Sequence, residues 1–482
     1  MHRLKLLSGP VAAALIMLFA DLDPGNPMVT RMAAITVWMA LWWLTEVVHL
    51  AVTALVPVVF LPALGIADPK MVAAQYMDQI IFLFIGGFLI SFAIERWDLH
   101  KRIALKILNS VGSGSSRILL GVMLTAYIIS MWISNTATVM MLLSAVLAIV
   151  YMTEQVTGDT PGQKGFAKAL LIGLAYSATI GGMATLVGTP PNMVFLRSYQ
   201  EAYPMNNDMN FTAWFKIGFP VSILLLGICY FILKSLFIDK HHEVKVQPGY
   251  FRDAYKELGP FSIEQKIVTA VFVTTAILWF TREPIEIGSV TIGGWNRLFG
   301  NAAYIQDSTV AVFMAFLLFL IPSRSTPGTT LLSWKDASKL PFDIILLFGS
   351  GFALAKGFEV SGLSDWLAST LKFLHHASPL LIIFCIVTVV CIISEFASNV
   401  ASIQLIIPIL IALQKELDVH PLTLMIPATL AASLGFMLPV ATAPNTIVFG
   451  SRKIEVRDMS AAGFRLDLAG IVVISLIVLM LN

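Results

Sequence analysis

The chain has 482 residues, of which 57% are hydrophobic and only 12% charged, with a formal net charge of +2. Soluble domains carry about 25% charged residues, so a soluble enzyme or soluble binding module is excluded. There is no polyelectrolyte charge and no basic cluster interleaved with aromatics, which sets nucleic acid aside as a partner. The three cysteines, Cys229, Cys385 and Cys391, lie inside apolar runs at no metal-ligand spacing. They read as small buried hydrophobes.

A membrane-spanning helix needs about 20 mostly apolar residues. The N-terminus carries Arg3 and Lys5 before an apolar stretch, as a signal peptide does. No A-x-A-like cleavage site follows, so it reads as a retained first span. In chain order, candidate spans lie near 8–22, 30–49, 50–66, 80–95, 167–187, 213–238, 264–281, 306–322, 343–358, 422–440 and 463–481. Two further apolar pairs, 117–134 with 136–152 and 379–397 with 400–414, are split by polar knots. These are Ser134-Asn135-Thr136 and Ser398-Asn399-Val400. A continuous helix rarely holds Ser-Asn at its middle, whereas a re-entrant hairpin that lines a cavity exposes polar backbone there. The pattern predicts an all-α membrane protein with about eleven transmembrane helices plus two re-entrant hairpins.

Charge tests the layout. With the N-terminus in the cytoplasm and each hairpin returning to its own side, the cytoplasmic segments 3–5, 96–117, 164–168, 234–266, 324–339 and 452–465 hold 22 of the 31 Lys and Arg. The positive-inside bias favours this orientation, with the C-terminus outside. The largest loop, 239–263, is then cytoplasmic.

The halves repeat. Phe84-Ile85-Gly86-Gly87-Phe88 matches Phe348-Gly349-Ser350-Gly351-Phe352, and Ser134-Asn135 matches Ser398-Asn399, both at an offset of 264 residues. Gly188-Thr189-Pro190-Pro191-Asn192 matches Ala441-Thr442-Ala443-Pro444-Asn445 at an offset of 253. Each unit crosses the membrane an odd number of times, so the repeats are inverted. Inverted repeats with interrupted helices at mid-membrane mark secondary transporters.

A hairpin tip such as Ser134-Asn135-Thr136 leaves free carbonyls on one arm and free N–H groups on the next. The N–H end favours a carboxylate or other oxyanion. Carbonyls, a Ser hydroxyl and an Asn amide oxygen are hard neutral ligands suited to Na⁺. The proline motifs free further carbonyls, so four discontinuities would converge on one site. No Lys or Arg lies in these motifs. An anionic substrate would therefore need bound cations and helix termini to balance it.

Glu46, His49 and Glu395 lie near apolar stretches. Such carboxylates are functional candidates or structural partners of backbone amides. Trp42-Trp43 reads as packing or an interfacial anchor, and Gly86-Gly87 and Gly349/Gly351 as places of close helix approach. An intramembrane enzyme finds no H-E-x-x-H, paired aspartates or G-x-S-x-G in the sequence. A channel is separable from a transporter by turnover, not by symmetry.

The paired Ser-Asn knots, Gly-Thr-Pro-Pro-Asn and Ala-Thr-x-Pro-Asn resemble the divalent anion:sodium symporter family, with similarity running from Trp43-Leu44-Thr45-Glu46 to Phe449-Gly450-Ser451. The resemblance implies a homodimer working by an elevator mechanism. A scaffold (1–112 and, with the cytoplasmic loop, 239–375) would hold a transport domain (113–238 and 376–482). It implies Na⁺ as coupling ion, with no other cofactor, at Ser130, Ser134, Asn135 and Gly188 and again at Ser394, Ala397, Asn399 and Ala441. It implies a dicarboxylate on Ser134, Asn135, Thr136, Thr189, Ser398, Asn399 and Thr442. Val400 and Ala443 depart from the family pattern, which often has Thr and Pro there, and this bears on the substrate. The expected activity is sodium-coupled symport of C4 dicarboxylates across the inner membrane. Dicarboxylate exchange without sodium, and sodium-coupled citrate or sulfate symport, are the alternatives.

Overall fold

The computed structural model describes residues 2–479 apart from 159, 207–208, 240–248, 288–289, 372–377 and 418. Part of the expected 239–263 loop therefore lies outside the described residues. Among the described residues, ten helices are long and apolar enough to cross a membrane. They include three hairpin arms, so they do not correspond one to one with the eleven expected spans. Shorter apolar helices over Lys5–Phe19, Leu50–Ala63, Ser115–Ser130, Asp307–Leu320 and Pro421–Ala431 complete the set. The chain is a multi-pass membrane protein.

Local chemistry sets the helix starts. Asn26 accepts from the Met28 amide and Pro27 opens the helix Pro27–Thr45. Asp78 caps Gln79–Arg96 through the Ile80 amide, and Thr160 caps Pro161–Met183 through Gln163. Each cap satisfies one of the donors that a helix start leaves orphaned.

Several expectations need correction. The span near 50–66 is two helices, Leu50–Thr53 and Val56–Ala63. Pro57 has no N–H, and its ring crowds the carbonyl four residues back, at Thr53, so the first helix stops there. The span near 422–440 ends early: Pro421–Ala431 gives way to non-helical residues 432–442 before Ala443–Phe449 begins. Gly435 and Pro439 within this segment disfavour a continuous helix. The all-helical class expected from the sequence holds, with one local addition: Ile285–Ile287 and Val290–Ile292 pair as a short antiparallel ladder. Cys229 and Cys391 are buried as expected, but Cys385 faces outward. On a membrane helix an outward position meets lipid, which suits a weakly polar thiol as well as a core does.

Both knots make hairpins. Ser115–Ser130 turns through Ser134 into Asn135–Thr157, and Pro379–Phe396 turns through Ser398 into Asn399–Leu417. After each hairpin comes an interrupted helix. The first is Pro161–Met183 followed by Pro190–Ala202; the second is Pro421–Ala431 followed by Ala443–Phe449. The halves interlock reciprocally. Pro190–Ala202 packs on Asn399–Leu417, and Ala443–Phe449 packs on Asn135–Thr157. The last helices of the two halves, Phe211–Phe237 and Val456–Leu479, also pack together.

Ion pairs sort into two sets. One joins Arg96 to Asp336 (2.5 Å), Lys168 to Asp458 (2.8 Å) and Lys453 to Glu154 (2.9 Å). The other joins Arg197 to Asp78 (2.9 Å), Arg282 to Asp307 (2.5 Å) and Lys415 to Asp365 (2.9 Å). The first set lies entirely within the segments the charge bias groups together, and the second entirely within the opposite group. No ion pair among the described residues joins the groups. This is what two polar faces separated by an apolar slab require.

Gly86 sits where Gln79–Arg96 crosses Asp307–Leu320. A Cβ built there would lie 2.6 Å from the Ala311 carbonyl carbon. Backbone cannot yield as a side-chain tip can, so close approach explains this glycine. Gly227, on Phe211–Phe237, has open space around it. Gly86→Ala is expected to lower the detergent-solubilised protein's thermal midpoint, at a cost of about 1–3 kcal/mol for overpacking. Gly227→Ala is expected to leave the midpoint unchanged or slightly higher. Fluorescence-monitored melting of both variants checks the pair.

Candidate functional site

The two hairpin tips and both helix interruptions converge on one cavity of about 480 Å³. Its lining includes Ser134, Asn135, Thr136, Thr189, Ser398, Asn399 and Thr442, all seven residues expected to meet substrate. Of the residues expected to hold Na⁺, Ser134, Asn135, Asn399 and Ala441 also line it. Ser130, Gly188, Ser394 and Ala397 do not line it and are buried behind it.

The tips are alike in outline. The Ser130 hydroxyl donates to Asn135 Oδ1 at 2.8 Å, while the Ser394 hydroxyl lies 3.0 Å from Asn399 Oδ1 and 2.6 Å from the Ala432 carbonyl, its closer acceptor. Ser134 Oγ accepts from the Ala137 amide and Ser398 Oγ from the Ala401 amide, both at 3.3 Å. Each tip thus brings a buried hydroxyl oxygen against an amide oxygen at a break between two helices. That donor set is neutral, hard and small, and it fits Na⁺ better than a multivalent metal. No cluster of three or more His, Cys, Asp or Glu exists among the described residues that could hold such a metal.

The interruptions are held by asparagine. Asn192 Nδ2 donates to the carbonyls of Gly182 (3.1 Å) and Thr185 (2.7 Å), and Asn445 Nδ2 donates to those of Gly435 and Leu438 (both 3.1 Å). Every partner obeys the offset of 253. Sequence reading missed these two clamps. The signal was available, since Gly182 and Gly435 stand at the same offset as Asn192 and Asn445. Gly182 has a second duty, because a Cβ there would lie 2.4 Å from Asn135 Oδ1.

The ionisable candidates resolve differently. Glu395 is buried and accepts from the amides of Met437 (2.8 Å) and Leu438 (3.0 Å), in the non-helical segment 432–442. It is a structural partner of freed backbone. Glu46 is an exposed left-handed C-cap of Pro27–Thr45, and His49 caps Leu50–Thr53. Neither lines the cavity. Trp43 is buried packing, and Trp42 donates to the Leu6 carbonyl at 3.0 Å.

The electrostatics are those of dipoles. Asn135–Thr157, Asn399–Leu417 and Pro190–Ala202 all begin at the cavity, turning the positive ends of their backbone dipoles toward it. No Lys, Arg or His lines it. Sequence reading also missed the wall opposite the tips, formed by Phe88, Pro341, Asp343 and Ile344. Phe88 closes the repeated Phe84–Phe88 motif, which sequence reading took only as close helix approach; no motif marks Pro341, Asp343 or Ile344, and only the fold brings them there.

Asn192→Ala is expected to destabilise the protein by on the order of 1–3 kcal/mol for each carbonyl left buried and unpaired. Asn445→Ala is expected to behave alike. Thermal melting in detergent checks both, and a neutral result at either position would contradict the clamp.

Comparison with known proteins agrees with this architecture. Residues 2–481 match the family described as the sodium:sulfate symporter transmembrane region. The chain is 39% identical over 480 residues to the sodium-dependent dicarboxylate transporter SdcS of Staphylococcus saprophyticus, covering 98% of this chain and 90% of that one. It is 39% identical over 481 residues to SdcS of Staphylococcus aureus strain NCTC 8325, with the same coverages. In fold it is similar to Neisseria gonorrhoeae MtrF, described as illuminating a class of antimetabolite efflux pumps. That likeness has a TM-score of 0.54 at 13% identity, covering 84% of this chain and 81% of that one, and it bears on fold alone. With nearly its whole length matched, the chain belongs to the sodium:sulfate symporter family, the divalent anion:sodium symporters, which are transporters and not enzymes.

Proposed function

We propose that this protein is a sodium-coupled symporter of C4 dicarboxylates such as succinate, malate and fumarate in the plasma membrane. The observation that carries the proposal is the cavity itself. Two symmetric tips offer neutral oxygen ligands, helix N-termini face inward, and no cationic side chain is present. A dianion in such a site needs counter-charge, because burying an unpaired charge is prohibitive. Sodium at the tips supplies it. At present the Ser130 hydroxyl proton occupies the electrophile's place against the Asn135 oxygen, while the Ser394 hydroxyl sits between the Asn399 oxygen and the closer Ala432 carbonyl. A sodium ion replacing each proton contact would draw both oxygens of a tip onto itself. One ion would then use Ser130, Ser134, Asn135 and Gly188, and the other Ser394, Ala397, Asn399 and Ala441. The substrate carboxylates would lie between them, against Ser134, Asn135, Thr136, Thr189, Ser398, Asn399 and Thr442. Coupling follows, since neither charge is well held without the other. The similarity to sodium-dependent dicarboxylate transporters supports this substrate class.

Alternating access by an elevator movement fits the packing. The hairpins and interrupted helices pack on one another across the repeats, and Gln79–Arg96 packs on Asp307–Leu320 in the other body. Polar contacts join the two bodies at several places, among them Arg197 to Asp78, the Ser91 hydroxyl to the Trp132 carbonyl (3.0 Å), the Phe211 amide to Asp307 (3.3 Å), Lys415 to Asp365 and Gln404 Nε2 to the Leu347 carbonyl (2.7 Å), and an elevator movement would have to exchange them. The positive-inside bias assigns the N-terminus, and with it Lys335 and Lys339, to the cytoplasm. Asp343 and Pro341 follow these lysines closely, so on this orientation their wall of the cavity lies toward the cytoplasm, which supports an inward-facing reading. A homodimer is the assembly expected from the family resemblance, and light scattering in detergent tests it.

Purified protein in liposomes, given labelled succinate and an inward Na⁺ gradient, is expected to accumulate succinate. K⁺ in place of Na⁺ should abolish accumulation, and malate and fumarate should compete. Preferential competition by sulfate or citrate would replace the dicarboxylate reading. Uptake that ignores Na⁺ but needs internal dicarboxylate would replace symport by exchange. Asn135→Ala and Asn399→Ala are each expected to reduce uptake to background with little change in melting temperature. Val400 lines the cavity, so Val400→Thr is expected to shift relative affinity among dicarboxylates by about 1 kcal/mol, the net worth of one hydrogen bond. An unchanged substrate profile would mean that position 400 does not meet substrate.

A further inference from the structure

The cavity is lined by one formally charged side chain, Asp343, and its charge has the same sign as the proposed substrate. Asp343 lies in the first turn of Phe342–Ser361 and is exposed. No cationic side chain among the described residues pairs with it. It belongs to the wall opposite the hairpin tips, beside Pro341 and Ile344. A negative residue in a helix's first turn is favourable to the helix, but that need does not explain why it faces a dianion site. A cavity of this volume is comparable in width to the Debye length of about 8 Å at physiological salt. The carboxylate's field therefore reaches whatever occupies the space between the tips.

The repeat makes this charge one-sided. Through the offset that equates Phe84 with Phe348, the counterpart of Asp343 is Gln79, the first residue of Gln79–Arg96. The neighbouring Asp78 is already engaged, capping that helix and pairing with Arg197. The inner mouth thus carries an unpaired negative charge where its counterpart is neutral.

Resting on the symport reading and the inward opening above, we propose that Asp343 is a specificity-determining residue that weakens dianion binding and strengthens Na⁺ binding at the cytoplasmic mouth alone. It stands on the body that the hairpins leave behind when the site turns outward, so its field acts only while the site faces in. The consequence is directional: dicarboxylate delivered to the cytoplasm rebinds poorly, which favours net uptake.

The test compares sides. Half-saturating concentrations of labelled succinate and of Na⁺ are measured in whole cells, which present the outer face, and in inside-out membrane vesicles, which present the cytoplasmic face. Wild type, Asp343→Asn and Asp343→Glu are compared. In inside-out vesicles Asp343→Asn is expected to lower the value for succinate about three- to tenfold and to raise that for Na⁺, with maximal rate retained. The difference should shrink when choline chloride raises the ionic strength. Asp343→Glu should match wild type, and whole cells should show no difference among the three. Opposite movement of the two constants is the signature of a charge; a structural defect would move both the same way or lower the maximal rate. Equal effects on both faces, movement in the same direction, or no change would overturn the proposal. A wild-type protein without Na⁺-dependent succinate transport would instead overturn the symport reading beneath it.

Discussion

Inside a bilayer there is no water to satisfy a backbone group that leaves its helix. This protein interrupts helices at four places and brings all four together, so its architecture depends on how the freed groups find partners. Two asparagines supply the answer at the paired interruptions. Asn192 and Asn445 each donate two hydrogen bonds across a break to carbonyls that the helix has released. At the tips, Ser134 and Ser398 accept from amides of the following helix. With these bonds in place the polar side chains of the two tips line a cavity instead of meeting lipid. The binding chemistry is thus confined to one polar space.

Much of this was legible in the sequence because the constraint acts on short motifs. A Ser-Asn pair inside an apolar run has few explanations other than a hairpin tip, and its recurrence at a fixed offset pointed to the inverted repeat. All seven expected substrate residues line one cavity for that reason. What was not legible lies in tertiary geometry. Asp343 belongs to a helix whose sequence near it looks like ordinary span, and Phe88 to a repeated motif that reads only as close helix approach. They become cavity wall only because Gln79–Arg96 and Phe342–Ser361 are placed opposite the tips. The break between Leu50–Thr53 and Val56–Ala63 was hidden for another reason: a hydropathy window averages over the proline that causes it.

The repeats share the Ser–Asn pair at each tip, where cations are proposed to bind, and differ at positions around it. The Ser–Asn contacts at the two tips differ by only 0.2 Å in the values 2.8 and 3.0 Å. By contrast Thr136 faces Val400 across the symmetry, and Pro190-Pro191 faces Ala443-Pro444. A spherical ion makes the same demand of both halves, so drift at those positions is penalised twice over. A dicarboxylate such as malate has two different ends, and a site that is symmetric in every donor could not distinguish them. Divergence at 136/400 is therefore chemically useful where divergence at 135/399 would not be.

The same asymmetry explains the carboxylate buried within the second half. Residues 184–189 separate the two parts of the first interrupted helix, while residues 432–442 separate those of the second. The longer segment frees more amides than one asparagine and one hydroxyl can serve. In the first half the Thr185 hydroxyl accepts from the Gly188 amide at 3.0 Å, and a neutral acceptor suffices. In the second half Glu395 accepts from two consecutive amides, Met437 and Leu438, one on each oxygen. The position equivalent to Glu395 at the offset of 264 is Met131, which has no such acceptor to offer. Glu395 is thus tied to the length of the break it serves, and its place beside Ser394 follows from where the longer segment folds back against the second hairpin.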